Sequence, residues 1–289
     1  MKESTTKLIN DIKHWFVSHD LDTAVVGYSG GVDSSTTAAL CSKAGLRVEL
    51  VQCEAIESYW FSPQKYSSDY PVEYFSELFD CNYSKYEMFG FQVSEGNNPF
   101  NEAALPIMRV AYFYGKAAEL RDQGFKPLVI GTTNFDESSY LGFFGKSSDA
   151  SHDFYPISHL HKSEVREIAK ELGVPDEIIY AEPSGDLLWS GDLNDYKMIG
   201  ATYDQIEALA KYVDNLTSPS VEEVGNFIIT HIDNPKLFCT NIKKNAFKYE
   251  LPFPQFHLHS KLEIFRYRYY NLILHAANQF LNDMRTQYV

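Results

Sequence analysis

The sequence predicts an α/β protein: a doubly wound, mostly parallel sheet flanked by helices, with a helical C-terminal extension. Three observations carry that prediction. β-Branched apolar runs alternate with stretches of helical periodicity, a glycine-rich turn joins the first such run to a helix, and the C-terminal part opens with two helix-capping boxes. Leu8, Ile9, Ile12, Trp15 and Phe16 recur at helical spacing, and residues 23–28 form an apolar run ending in glycines. Residues 34–43, with Thr36, Thr37, Ala38, Ala39 and Leu40, suit a helix of small residues, and residues 46–51 alternate like the next strand. Together they make a right-handed βαβ unit.

The stretch 57–98 is rich in Tyr, Ser and Phe with weak periodicity, and reads as loops and short helices over the sheet edge. Residues 101–120 read as a helix and 127–131 as a buried strand, while Val165, Ile168, Ala169 and Leu172 mark a helix stopped by Gly173 and Pro175. Thr202 with Gln205 and Ser220 with Glu223 each form a capping box, so two more helices start there. Phe265, Tyr267, Tyr269, Tyr270, Leu272 and Leu274 in the segment 256–289 predict a core or interface helix. No repeat, low-complexity tract or Pro/Gly/Ser linker interrupts the chain. The expected organisation is one domain over 1–214 with an extension over 215–289 packed on it.

At 289 residues and 44% hydrophobic content the chain can bury a large core without staples. Thirty-nine acidic against 25 basic residues give a net charge of -14, which repels a nucleic-acid backbone and disfavours a tRNA-directed activity. Cys41, Cys53, Cys81 and Cys239 are scattered with no Cys-x-x-Cys pair, which argues against a zinc site or a disulfide frame and fits a reducing compartment. The opening residues 1–6 lack the apolar stretch of a signal peptide, and no apolar run approaches the roughly 20 residues of a membrane span. A soluble, cytoplasmic protein without a membrane or nucleic-acid partner is expected.

The chemistry concentrates in Ser29-Gly30-Gly31-Val32-Asp33-Ser34-Ser35, placed after a strand and opening a helix. Two glycines and small hydroxyl residues let consecutive backbone N–H groups turn toward one point, where the helix N-terminus adds its positive dipole; this is a phosphate site. Ser29, Ser34 and Ser35 can donate hydroxyl hydrogen bonds to phosphate oxygens. Asp33 is a carboxylate among phosphate donors, a placement that makes sense if it holds Mg²⁺ bridging a polyphosphate. A Walker loop would end Gly-Lys-Ser/Thr, and this loop does not. The competing reading is a plain Gly-rich turn with an aspartate cap.

The loop resembles that of the PP-loop ATP pyrophosphatases. Together with Gly131-Thr132, Glu137, Gly142-Phe143-Phe144-Gly145-Lys146, Asp149, Asp153, Pro156, Lys162 and Pro183-Ser184-Gly185-Asp186-Leu187, it resembles ammonia-dependent NAD synthetase, over residues 23–210. The resemblance implies an adenine nucleotide alpha-hydrolase-like fold and a ligase. Such a ligase adenylates the nicotinate carboxylate of deamido-NAD with ATP, releases pyrophosphate and lets ammonia displace AMP. It further implies Mg²⁺ on Asp33 and Glu137, and ATP on the loop with Thr132, Lys162 and Ser184. Asp149, in a mobile loop, would help deprotonate the attacking ammonia, Lys146 would sit beside the acyl phosphate, Asp153 and Lys248 would contact the substrate, and the protein would be a homodimer. No glutaminase portion is recognisable, so free ammonia or a separate glutaminase is the expected nitrogen source. Taken singly, Glu137 reads rather as an N-terminal helix acid, Lys162 as an exposed helix lysine and Asp149 as a turn residue; taken together they do not. His152, His159 and His161 read as polar loop residues, because no fourth zinc ligand accompanies them.

The pattern departs from the family at the acceptor side. Leu105 and Ile107 stand where the family carries two arginines, Tyr196 and Met198 where it carries acids before the glycine matching Gly200, and Ala246-Phe247-Lys248-Tyr249 where it has a closing basic segment; one extra residue precedes Gly142. The sequence therefore supports adenylation more firmly than it identifies the acid. The alternatives are a synthetase-like ligase for another carboxylate, a PP-loop sulfur transferase or tRNA-modifying enzyme, and an inactive nucleotide-binding module. The sulfur chemistry would call for reactive cysteines and a basic surface. An idle binder would have no use for two magnesium carboxylates and a lysine.

Overall fold

The computed structural model describes residues 1–56, 70–89, 99–182, 194–249 and 270–286. Its chain runs α1 (Glu3–Ser18), β1 (Thr23–Gly27), α2 (Val32–Lys43), β2 (Arg47–Ile56), α3 (Val72–Phe79), β3 (Asn82–Phe89), α4 (Pro99–Asp122) and β4 (Pro127–Ile130). It continues through α5 (Lys162–Leu172), α6 (Asp176–Ile179), α7 (Asp195–Ile199), α8 (Tyr203–Asn215), α9 (Val221–His231), α10 (Pro235–Asn245) and α11 (Asn271–Thr286). The four strands are parallel in the order β3-β2-β1-β4, with Val26 opposite both Leu50 and Ile130.

Side chains alternate across this sheet as strand geometry requires. Ala24, Val26, Val48, Leu50 and Ile130 face a core shared with α1, α2, α3 and α5. Val25, Val51 and Val129 face the opposite way, onto Phe113, Ala117 and Leu120 of α4. Helices on both faces make the sheet doubly wound, as the sequence predicts. Close approach on the α4 side depends on Gly27, where an added Cβ would lie 2.4 Å from the Phe113 ring. Helix α2 is buried almost all round, and its Ser, Thr and Ala residues give it the slim profile that this position demands.

The stretch 57–98 requires a correction. It holds α3 and a true edge strand, β3, paired in parallel with β2 from Asn82 opposite Glu49 to Phe89 opposite Ile56. Its alternation was present in the sequence but spelled in polar residues: Ser84, Tyr86 and Met88 turn inward while Tyr83, Lys85 and Glu87 face solvent. Charged outward positions are how an edge strand avoids pairing with other chains. The remainder of that stretch, 57–69 and 90–98, lies outside the described residues, as does the part of the predicted C-terminal helix before Tyr270.

Both capping boxes form, with Thr202 accepting from the Gln205 N–H at 3.2 Å and Ser220 from the Glu223 N–H at 3.1 Å. The helices they start contribute to a second core, in which Ile206, Leu209, Val213, Val224, Ile228, Phe238, Ile242, Ile273 and Ala277 pack with Phe135 and Leu141. None of the described helices is long and apolar enough to cross a membrane.

Candidate active site

The chain leaves β1 in one direction, to β2 and β3, and returns to β4 on the other side of β1. Loops leaving the carboxyl ends of β1 and β4 therefore diverge, and the crevice between them is where such sheets place ligands. The loop after β1 is Ser29-Gly30-Gly31. Gly30 takes a φ of 78°, which the absence of a Cβ permits. The Ser29 hydroxyl accepts from the Gly31 N–H at 3.2 Å and lies 3.1 Å from the Ser34 hydroxyl, which in turn donates to the Gly31 carbonyl at 3.0 Å. These bonds set the loop at the head of α2, whose first N–H groups have no acceptor within the helix. Val32, Ser34 and Ser35 are buried there, and Asp33 is in the first turn.

The loop after β4 supplies Asn134, Asp136 and Glu137. Asn134 and Asp136 are 0% exposed. Asn134 donates through Nδ2 to Asp33 Oδ1 at 3.3 Å and accepts from the Glu137 N–H at 3.1 Å, tying the two loops together. Asp136 accepts from the Lys162 N–H at 2.8 Å and pairs with His161 Nδ1 at 2.7 Å, which fixes the start of α5. Its charge outweighs the cost of burial and raises His161 above an ordinary histidine. Neither Asn134 nor Asp136 was singled out from the sequence. The signal was there in the Asn-x-Asp spacing directly after a buried strand.

Lys162, the first residue of α5, is the centre of the cluster. Its ammonium pairs with Asp33 Oδ2, stands 3.5 Å from Glu137 Oε1 and lies 4.8 Å from the centre of the Tyr203 ring. The exposed-lysine reading fails, since only 5% of the side chain is accessible. A buried cation at the positive end of a helix is doubly unfavourable. The Asp33 and Glu137 carboxylates outweigh the burial and hold Lys162 above the ordinary lysine value. Glu137 is pushed up to about 8, chiefly by burial and partly by the Asp33 and Asp195 charges, with Lys162 opposing. Tyr203 and Asp195 complete the group. The Tyr203 hydroxyl is 2.9 Å from Asp195 Oδ2 and 3.3 Å from Glu137 Oε1. Asp195 is an acid immediately before Tyr196, the position at which the sequence had lost a family carboxylate.

A second group lies along the loop that follows the π-helical turn Glu137–Leu141. Asp149 Oδ2 accepts from the Gly145 N–H at 2.8 Å and the Ser148 hydroxyl at 3.3 Å. Lys248 reaches this loop from the 3-10 turn Ala246–Tyr249. It donates to the Gly142 carbonyl at 2.7 Å and stands 5.7 Å from the Phe144 ring. Burial lowers Lys248 to about 8 although the Asp149 charge opposes it. The Lys146 carbonyl accepts from Ser151 at 3.1 Å within the same loop. Asp153 has both oxygens engaged in the scaffold, with the Val129 N–H and the Tyr114 hydroxyl each at 2.9 Å. Thr132 follows β4 at the crevice and is half-buried, whereas Ser184 lies outside the described residues.

Among the described residues no group of three or more His, Cys, Asp or Glu side chains is arranged as a metal cage, and the three loop histidines do not converge. Asp33 and Glu137 nevertheless converge on one cation, the Lys162 ammonium. Two carboxylates with polyphosphate oxygens are the donor set that suits Mg²⁺, which rarely takes an all-protein cage. Burial holds the Cys41, Cys81 and Cys239 thiols up to about 12 and Cys53 to about 11, so none is poised as a thiolate.

Comparisons with known proteins identify the family. The NH(3)-dependent NAD(+) synthetase of Mesoplasma florum is 31% identical over 72% of this chain and 84% of its own length. The enzyme of the same name from Methanocaldococcus jannaschii is 28% identical over 87% of this chain and 96% of its own. The NMN synthetase of Francisella tularensis superposes with a TM-score of 0.59 at 26% identity, over 78% of this chain and 91% of its own. The family model described as NAD synthase matches residues 78–252, a span that takes in Glu137, Lys162, Asp195 and Tyr203. With the loop after β1, the acids after β4 and the lysine at the head of α5 all in place, the chain belongs to the NAD synthase family.

Proposed function

We propose that the protein is an ATP-dependent ligase that amidates a nicotinate carboxylate with ammonia, converting deamido-NAD to NAD with release of AMP and pyrophosphate. The observation that carries this reading is the meeting of Asp33, Glu137 and Lys162 at the carboxyl ends of two adjacent strands, at the head of a phosphate-binding loop. The names of the relatives support it.

In this reading the loop N–H groups and the Ser29, Ser34 and Ser35 hydroxyls cradle the ATP phosphates, with Thr132 and Ser184 beside them. Asp33 and Glu137 would hold Mg²⁺, which supplies charge stabilisation to the polyphosphate as the α-phosphorus is attacked. Lys162, kept protonated by its two carboxylates, stabilises the charge that builds on departing pyrophosphate. The substrate carboxylate becomes an acyl adenylate. Ammonia then attacks the acyl carbon and AMP leaves. Asp149 takes the proton of the incoming nitrogen, while Lys146 and Lys248 border the acyl phosphate and Asp153 fixes the loop that carries Lys146. The buried thiols oppose a sulfur-transfer reading. A cytoplasmic homodimer, fed by free ammonia or a separate glutaminase, completes the proposal.

A second acid has a specific observation in its favour. Leu105 is 4% exposed and packs in the core with Met88, so it offers nothing polar to a dinucleotide, while Ile107 and Tyr196 are exposed apolar surfaces. A mononucleotide acid, the precursor of NMN, would need fewer charged partners, and the resemblance to an NMN synthetase accords with that. The test is to incubate the protein with ATP, Mg²⁺ and ammonium beside deamido-NAD, nicotinate mononucleotide and other carboxylates, measuring AMP and pyrophosphate. Stoichiometric ADP and phosphate would reject the class.

A further inference from the structure

Asp195 has no part in the reaction as set out above, yet it is a buried carboxylate one hydroxyl away from the cluster. The residue is 6% exposed, Oδ2 meets the Tyr203 hydroxyl at 2.9 Å, and Oδ1 is buried without a hydrogen-bond partner among the described residues. Keeping a charge inside with so few bonds opposes folding, so its retention calls for a functional reason. Both residues are firmly placed. Asp195 opens α7, where Asn194 accepts from the Lys197 N–H at 3.0 Å, and Tyr203 opens α8 behind the Thr202 box.

Tyr203 touches the site twice, with its ring beside Lys162 and its hydroxyl 3.3 Å from Glu137 Oε1. A phenol carries one O–H proton and cannot give it to two carboxylates at once. The shorter contact, 2.9 Å, assigns that proton to Asp195. Glu137 then faces the hydroxyl's oxygen rather than its proton, and Oε1 keeps its lone pairs for a cation. The charges agree with this. Once the cation has displaced the proton of Glu137, three carboxylates around one ammonium leave a formal excess of two negative charges, which a divalent ion neutralises.

We propose that Asp195 is a positioning residue: it holds the Tyr203 hydroxyl proton away from Glu137 and thereby keeps Glu137 open to the divalent cation that accompanies the nucleotide. The proposal rests on the reading of Asp33 and Glu137 as that cation's ligands. Without Asp195 the hydroxyl turns to Glu137, and a charge-assisted hydrogen bond competes with the metal.

The test is Mn²⁺ binding to the full chain with a non-hydrolysable ATP analogue, followed by the electron paramagnetic resonance of free Mn²⁺, alongside the Mg²⁺ dependence of pyrophosphate release. Asp195→Ala is expected to weaken Mn²⁺ about tenfold, the worth of one hydrogen bond to a charged group, and to raise the Mg²⁺ requirement equally. In a Tyr203→Phe background, where no hydroxyl remains to turn, the same substitution is expected to change binding less than about twofold. Asp195→Asn keeps an acceptor for the hydroxyl without the charge, and is expected to stay within about threefold of the parent. It also serves if the alanine variant fails to fold. Equal weakening in both backgrounds, a tenfold loss in Asp195→Asn, or no change in Asp195→Ala would each overturn the proposal. If Asp33→Asn leaves Mn²⁺ binding intact, it is the ligand assignment beneath the proposal that fails.

Discussion

Lys162→Met probes the buried charge cluster directly. Methionine keeps most of the length and the packing against Tyr203 but removes the ammonium. The Asp33 and Glu137 side chains, only 18% and 16% accessible, would then face each other and Asp195 with no cation between them. Removing one partner of a buried ion pair typically costs about 3–5 kcal/mol, because the remaining charge stays desolvated. The residual exposure of both acids places this case near the lower end, at about 3 kcal/mol. For a chain of this length that corresponds to a melting temperature lower by roughly 5 °C.

The sign with pH follows from the same geometry. Glu137 sits at about 8 even with Lys162 beside it, well above its unfolded value, and losing the lysine raises it further. A carboxyl held above its unfolded value binds more protons folded than unfolded, so the variant loses stability as pH rises and differs most from the parent above pH 8. Differential scanning calorimetry from pH 6 to 9 without nucleotide measures this. A variant that unfolds within about 1 kcal/mol of the parent at pH 9 would refute the reasoning, since isolated surface pairs are worth no more than that.

Other expectations follow from the same site. Protons and the divalent cation compete for Glu137, so the Mg²⁺ needed for half-maximal pyrophosphate release should fall by up to about tenfold per pH unit as pH rises toward 8, then level off. A flat profile would remove Glu137 from the metal site. Asp33→Asn and Glu137→Gln should each suppress Mg²⁺-dependent ATP–pyrophosphate exchange by at least about a hundredfold with the circular dichroism unchanged. Asp149→Asn should slow amide formation more than exchange, and equal losses in the two assays would place Asp149 in nucleotide binding instead. Gly131→Ala should destabilise the fold by about 1–3 kcal/mol in urea unfolding, because its Cβ would lie 2.1 Å from the Tyr155 ring.

The sheet was legible because parallel strands buried on both faces are spelled in β-branched residues, as at Val25, Val26 and Val129. Strand β3 was not, since an edge strand buries one face and writes the other in Lys and Glu. The loop at 29–35 could be recognised because its chemistry is local: glycines, hydroxyls and a helix start occupy consecutive positions. The rest of the site is assembled at long range. Asp33 and Lys162 are 129 residues apart and Tyr203 and Glu137 are 66 apart, so no spacing rule connects them. Only the resemblance linked Asp33, Glu137 and Lys162 beforehand. Asn134, Asp136, Asp195 and Tyr203 escaped notice because each is an ordinary loop or helix-start residue until the fold brings it to the cluster.

The division between the two halves of the site has a physical origin. Asp33, Glu137 and Lys162 are carried by the head of α2, the segment after β4 and the head of α5, elements packed on the sheet core, so their geometry is fixed by the same packing that makes the fold. In the proposed reading the acceptor side is built from the 142–160 loop, the turn bearing Lys248 and the helices of the second core, into which Phe135 and Leu141 pack from the segment after β4. Substitutions there shift a pocket without unsettling the sheet. In the proposed reading Tyr196 and Met198 can therefore stand where the family has acids without disturbing Asp33, Glu137 and Lys162, whereas Leu105 lies on α4, packed against Met88 of β3. Asp195 shows the limit of that freedom. One position from Tyr196 in the same short helix, it bonds through Tyr203 to the cluster itself, and a change there is felt at Glu137 rather than at the acid substrate.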